Sequence, residues 1–201
     1  MDAVLAHRSR PSLIERRKAA LRLDIARQAV RLFVAKGVGA TTGDEIADAV
    51  GISSRTLWRY FPTKESCVRP LLTSSLDAVT ALLRDWPADT SLLDHIARAL
   101  RVGALAPPDP AILDLIRMTT ADPALRAVWL QAHDDALPAL HTLLADRAGT
   151  TEDDLRVKVH AAVLSSALRA AAEDFALHSA GADLSACLET ALSAAAEGLP
   201  Y

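Results

Sequence analysis

Residues 41–66 read TTGDEIADAVGISSRTLWRYFPTKES, and the fold of the chain turns on this stretch. Thr42 and Glu45 have the spacing of a capping box, in which a hydroxyl and a carboxylate each satisfy a free backbone N–H at a helix start. Ile46, Ala47 and Val50 then recur at helical spacing, and Gly51 stops the run. Ser53 is a second cap, after which Leu57 and Phe61 fall on one side of another short helix. Two short helices joined by a glycine-containing turn make a helix-turn-helix. The outward side of the second helix carries Ser54, Arg55, Thr56, Trp58, Arg59 and Tyr60. Arginine forks onto guanine O6 and N7, small hydroxyls reach phosphates or base edges, and aromatic rings lie along sugars and thymine methyls, so this face suits duplex DNA.

Upstream, Leu21, Ile25, Ala29, Leu32 and Phe33 form one apolar stripe between Pro11 and Lys36, predicting a first helix that Gly37 ends. Arg16, Arg17, Lys18, Arg22, Arg27 and Arg31 occupy its other faces, and Arg8 and Arg10 beside Pro11 form a basic arm suited to a minor groove or to phosphates. The net charge of −3 conceals an uneven distribution: 13 of the 22 Lys and Arg but only 7 of the 25 Asp and Glu fall within the first 70 residues, giving +6 there and −9 beyond. The positive field is confined to the segment that holds the helix-turn-helix.

Ile25, Ala29, Leu32, Phe33, Gly37, Thr41, Thr42, Ile46, Ala47, Gly51, Ser53, Thr56, Leu57, the aromatic cluster from Trp58 to Phe61, and Lys64 with Glu65 together resemble the DNA-binding domain of the tetracycline-repressor family, over roughly residues 15 to 70. The resemblance implies an all-α protein of about nine or ten helices, with a three-helix reader in residues 1–66 and an effector-binding and dimerisation domain in residues 67–201. It implies that Thr42 both caps its helix and contacts phosphate, and that Trp58, Tyr60 and Lys64 contact the DNA backbone. Ser54, Arg55, Thr56 and Arg59 become the candidate base readers, beside the cap residue Ser53. For Lys64 there is also a separate reason, since an ammonium at the start of a helix attracts phosphate.

Beyond Lys64, Val68, Leu71, Leu72, Val79, Leu82 and Leu83 keep one helical stripe to about Trp86, with Pro70 a candidate hinge near its start. Further helices are expected over 91–105, 111–118, 124–148 with a kink at Pro138, 153–179 and 183–197, separated by loops such as WPADTS and APPDP. The last two are rich in Ala and Ser, which let helix backbones approach closely. In the resembled family the equivalent pair forms a four-helix dimer interface, for which Val159, Val163, Ser166, Leu188 and Leu192 are the candidates here. Large or polar residues inside the middle helices, namely Trp86, His95, Met118, Trp129, His133 and Phe175, are the candidates for contacts to a small and largely apolar effector.

No nucleophile elbow, phosphate loop, zinc-binding helix or dinucleotide fingerprint is present, so neither an enzyme, a metal nor a cofactor is expected. Cys67 and Cys187 lie far apart and fit a reducing compartment. Charges interrupt every apolar run, which leads to the expectation of a cytoplasmic protein whose partners are double-stranded DNA, a small-molecule effector and a second copy of itself, with no membrane. The competing reading is a helical scaffold or carrier that no longer reads DNA; Arg55, Arg59 and Lys64 speak against it.

Overall fold

Ser12 and Glu15 set the start of α1 (Leu13–Lys36): the Ser12 hydroxyl accepts from the Glu15 N–H, and the Glu15 carboxylate accepts from the Ser12 N–H. The computed structural model describes residues 12–103, 108–178 and 183–198. Arg8, Arg10 and Pro11, expected to form the basic arm, lie outside the described residues. Next come α2 (Gly43–Ala49) and α3 (Ser54–Tyr60), then a 3₁₀ turn (Glu65–Val68) and α4 (Arg69–Arg84). The chain continues through α5 (Leu92–Arg101), α6 (Pro110–Thr119), α7 (Pro123–Ala148), α8 (Leu155–His178) and α9 (Leu184–Glu197). Among the described residues there are nine α-helices and no strand.

Between α2 and α3 the backbone reverses at Gly51, whose φ of 68° is in the left-handed region that a side chain disfavours. Two apolar clusters organise the rest. The first joins Ile25, Ala29 and Phe33 of α1 to Ile46, Leu57 and Phe61 of the helix-turn-helix, then runs on through Leu71 and Leu72 to Leu115, Leu125, Trp129 and Ala176. It does not stop at residue 66: the reader packs directly on α4, α6 and the first half of α7. The second holds Leu83, Ile96, Leu140, Ala161, Leu164, Leu188 and Leu192, at the other end of α7 and α8 and against α9.

One expectation is corrected here. The single helix expected from Lys64 to Trp86 is instead a 3₁₀ turn followed by a new α-helix, with Pro70 in the first turn of α4. A proline there has no helical N–H to lose, so Pro70 is not an interruption that bends a continuous helix. Leu188 and Leu192, expected at the interface, have side chains buried in the protomer's own second cluster. The outward side of α9 carries Ala186, Glu189, Thr190 and Ala194, while Val159, Val163 and Ser166 on α8 are exposed.

Candidate nucleic-acid interface

The two expected caps are both made. Thr42 Oγ1 accepts from the Glu45 N–H at 3.3 Å, and the Glu45 carboxylate accepts from the Thr42 N–H at 2.8 Å and from its hydroxyl at 2.9 Å. Glu45 also pairs with Lys36, and these contacts, the Lys36 hydrogen bond foremost, hold its carboxyl down at about 2. Ser53 Oγ accepts from the Thr56 N–H at 3.2 Å and lies 3.0 Å from the Thr56 hydroxyl. Both hydroxyls thus serve the geometry of α3 in the free protein.

On the open side of α3, Arg55, Trp58 and Arg59 are exposed. Ser54 is half-buried and donates its hydroxyl to the Asp44 carboxylate at the start of α2, so this candidate base reader helps fix the angle between the two helices. Tyr60 is also half-buried and rests on the first apolar cluster, 6.4 Å from the Phe61 ring. The guanidinium carbons of Arg22 and Arg59 approach the Tyr60 ring centre to 5.1 and 5.3 Å, which fixes the ring and concentrates positive charge at the end of α3.

Gly43 was missed by sequence reasoning. A β-carbon at that position would collide with the indole of Trp58, so the absence of a side chain is what lets the ring lie on the first turn of α2. Trp58 keeps 45% of its surface exposed while its other side is braced. Gly43→Ala is expected to displace the ring and weaken binding to every DNA sequence about tenfold, or about 1.4 kcal/mol. Helix propensity favours the alanine, so thermal stability should not fall. Fluorescence anisotropy of labelled duplexes together with a melting curve checks both halves.

Lys64, the expected phosphate contact, is engaged inside the free protein. Its ammonium donates to the carbonyls of Val38 at 2.6 Å and Thr41 at 2.9 Å, with that of Gly39 at 3.4 Å, and so is occupied within the turn between α1 and α2. Three donors facing three carbonyls make a clasp between that turn and the 3₁₀ segment.

The effector candidates separate into two groups. Trp86 and His95 maintain the α4–α5 connection: the Trp86 indole N–H donates to the Thr90 carbonyl at 2.7 Å, the Arg147 guanidinium lies 3.5 Å above its ring, and His95 Nε2 donates to the Leu82 carbonyl at 2.9 Å. Arg147 also bonds the carbonyls of Trp86, Pro87, Ala88 and Thr90. Met118 packs on the first cluster, and Phe175 is half-buried on α8.

Trp129 and His133, by contrast, come together at the seam between the two clusters. Their rings meet edge to face with centres 4.4 Å apart, and His133 Nδ1 is 3.2 Å from the Ser165 hydroxyl. Glu173 accepts from the Trp129 indole N–H at 2.8 Å, from Arg126 at 2.5 Å and from Arg169 at 3.2 Å. Burial alone would raise the Glu173 pKa, but these donors outweigh it and hold the carboxyl below its ordinary value. Only the i, i+4 spacing of Arg169 and Glu173 was visible in sequence; nothing local joins α7 to α8.

Burial, reinforced by Arg169 and Arg126 against the opposing charge of Glu173, lowers the His133 pKa from 6.5 to about 4. As pH falls from 6.5 towards 4 the unfolded imidazole takes up a proton that the folded one refuses, so stability is lost in that window. The full loss is about 3 kcal/mol. Urea titrations at pH 6.5 and 4.5 should show much of that loss in the native sequence and a reduced pH dependence in His133→Phe.

Residues 25–71 match the family model described as bacterial regulatory proteins of the tetR family, and residues 90–200 match that described as the MftR C-terminal domain. The HTH-type transcriptional regulator TcmR of Streptomyces glaucescens is 29% identical over 198 residues, covering 94% of this chain and 87% of that protein. The HTH-type transcriptional repressor KstR2 of Rhodococcus jostii is 38% identical over 68 residues, 34% of this chain and 33% of that protein. Among solved structures, Thermus thermophilus FadR, a TetR-family transcriptional repressor in complex with lauroyl-CoA, superposes with a TM-score of 0.53 at 26% identity, covering 90% of this chain and 95% of that one. Since the C-terminal model spans more than half of the chain and the N-terminal model covers the helix-turn-helix just described, this protein belongs to the TetR family of bacterial transcriptional regulators.

Proposed function

We propose that the protein is a ligand-responsive repressor which binds a near-palindromic operator as a homodimer and leaves it when a small, largely apolar effector enters the C-terminal helices. The observation that carries this reading is the outward face of α3, where Arg55, Trp58 and Arg59 are exposed on a helix fixed from behind by the Ser54–Asp44 bond and the Gly43–Trp58 contact. Two such helices related by a twofold axis and about 34–36 Å apart enter successive major grooves on one side of the duplex. FadR carries lauroyl-CoA, an apolar acyl chain on a charged coenzyme A head, and so supports an apolar portion in the effector and nothing about its charge. No helix among the described residues is long and apolar enough to cross a membrane, which accords with a cytoplasmic site of action.

Signal transfer has two physical ties to work through. Arg69, at the start of α4, pairs with Asp135 of α7, and Arg27 of α1 donates to Asp109, the cap of α6, at 2.8 Å. A shift of α6 or α7 on ligand entry therefore pulls on the elements that hold the reader, and the two ligands are linked through the conformations each favours.

Selection of duplexes from random sequence by the purified protein tests the reading. An enriched near-palindrome with a steep salt dependence is the expected result. Arg55→Ala should then lose about 1–3 kcal/mol on the selected site and relax the preference at one base pair. Equal loss on all sequences would make Arg55 a phosphate contact, and no enrichment at all would favour a helical carrier that does not read DNA.

A further inference from the structure

His133 leaves one polar atom unaccounted for. Its side chain is 6% exposed, Nδ1 faces Ser165, and Nε2 is sealed from solvent with no hydrogen-bond partner. A buried polar atom without a partner costs about 1–3 kcal/mol, and such atoms are uncommon in folded proteins. The polar groups around it are already engaged: the Trp129 indole N–H, Arg126 and Arg169 all converge on Glu173. The ring packs edge to face on Trp129, a member of the first apolar cluster, and Ser165 of α8 faces its other nitrogen.

We infer that His133 Nε2 is the polar anchor of the effector site, and that the effector is an uncharged, largely apolar molecule bearing a hydroxyl that bonds this nitrogen. The inference rests on the ligand-responsive reading above and assigns the chemistry of its ligand. A hydroxyl is selected because it both donates and accepts. The Ser165 hydroxyl is equally capable of giving a proton to Nδ1 or taking one, so Nε2 is an acceptor in one tautomer and a donor in the other, and a hydroxyl satisfies either. Arg126 and Arg169 both bond Glu173, whose single charge offsets one of theirs, so the choice of an uncharged ligand rests on His133 itself. The low proton affinity of His133 agrees with a neutral partner, since a carboxylate placed against it would favour the imidazolium.

Because Nε2 is sealed, a ligand reaches it by parting α7 from α8. His133 lies two residues before Asp135, the α7 end of the tie to Arg69, so that movement acts directly on the start of α4. Binding therefore satisfies the orphan and strains the tie to the reader in the same step.

The test uses three probes with one ring system: naphthalene, 2-naphthol and 2-naphthoate, titrated by calorimetry into the full-length protein, with release of a selected operator followed by anisotropy. The native sequence should bind 2-naphthol about tenfold tighter than naphthalene, the effect of about one net hydrogen bond, and tighter than 2-naphthoate. His133→Phe should erase the advantage of the hydroxyl, and His133→Gln, which offers an amide at similar reach, should retain part of it. Operator binding by each variant without probe shows that the protein is folded. Equal binding of naphthol and naphthalene, preference for naphthoate, no binding of any probe, or an undiminished naphthol advantage in His133→Phe overturns the assignment. Failure of the native protein to select any DNA sequence would instead overturn the regulator reading, whatever the probes do.

Discussion

Replacing Val163 by aspartate is expected to leave the protomer folded and to reduce operator affinity by two to four orders of magnitude, about the avidity that linking two binding modules provides. Val163 is 42% exposed and Val159 49%, and with Ala162, Ser166 and Ala170 they form one outward stripe along α8, exposed among the described residues. Ala186, Thr190 and Ala194 on α9 are exposed as well, with Glu189 beside them. In a twofold assembly this patch meets its own copy, so one substitution introduces two like charges that must both lose water. The protomer itself loses nothing, because the side chain was outside its core. Sedimentation should show one subunit at micromolar concentration, and operator binding should weaken in parallel. A variant that remains dimeric with native affinity would show that the subunits pair through another surface.

Lys64→Met is expected to destabilise the fold by about 3 kcal/mol while leaving the salt dependence of DNA binding unchanged. Methionine keeps the aliphatic stem but removes the ammonium that holds the carbonyls of Val38, Gly39 and Thr41. Those carbonyls belong to the turn that sets the start of α2, and two of the three bonds are part-buried, so water cannot fully replace the lost donor. A phosphate-binding lysine makes the opposite prediction: unchanged stability and a log K against log salt slope shallower by about one. Urea unfolding and a salt titration on the same variant decide between the two roles. Loss of the clasp should also lower affinity for the operator, because α2 and α3 are then presented less rigidly.

Local signals explain which parts of the reader were legible. The caps at Thr42 and Ser53, the stop at Gly51 and the inward set Ile46, Ala47, Leu57 and Phe61 all depend on contacts within a few residues, and each stands in the structure as the spacing indicated. The same locality fails at Lys64, whose partners lie 23 to 26 residues away, and at Gly43, whose lack of a side chain matters only because α3 folds back to lay Trp58 on it. In the C-terminal helices periodicity marks an apolar side but not what covers it. Leu188 and Leu192 therefore looked equivalent to Val159 and Val163, although the first pair faces the protomer's own core and the second faces outward.

Helix period, caps and turn glycines are properties of neighbouring residues, and they made legible that this chain is all-helical and where its helix-turn-helix lies. Tertiary structure alone decided that Lys64 is a clasp, that Pro70 opens a helix instead of bending one, and that Trp129, His133, Ser165 and Glu173 form one polar group at the seam of two cores. Those outcomes depend on which helices cross and at what height, and the residues that meet there are separated by 23 to 44 positions of chain that carry no local record of the encounter.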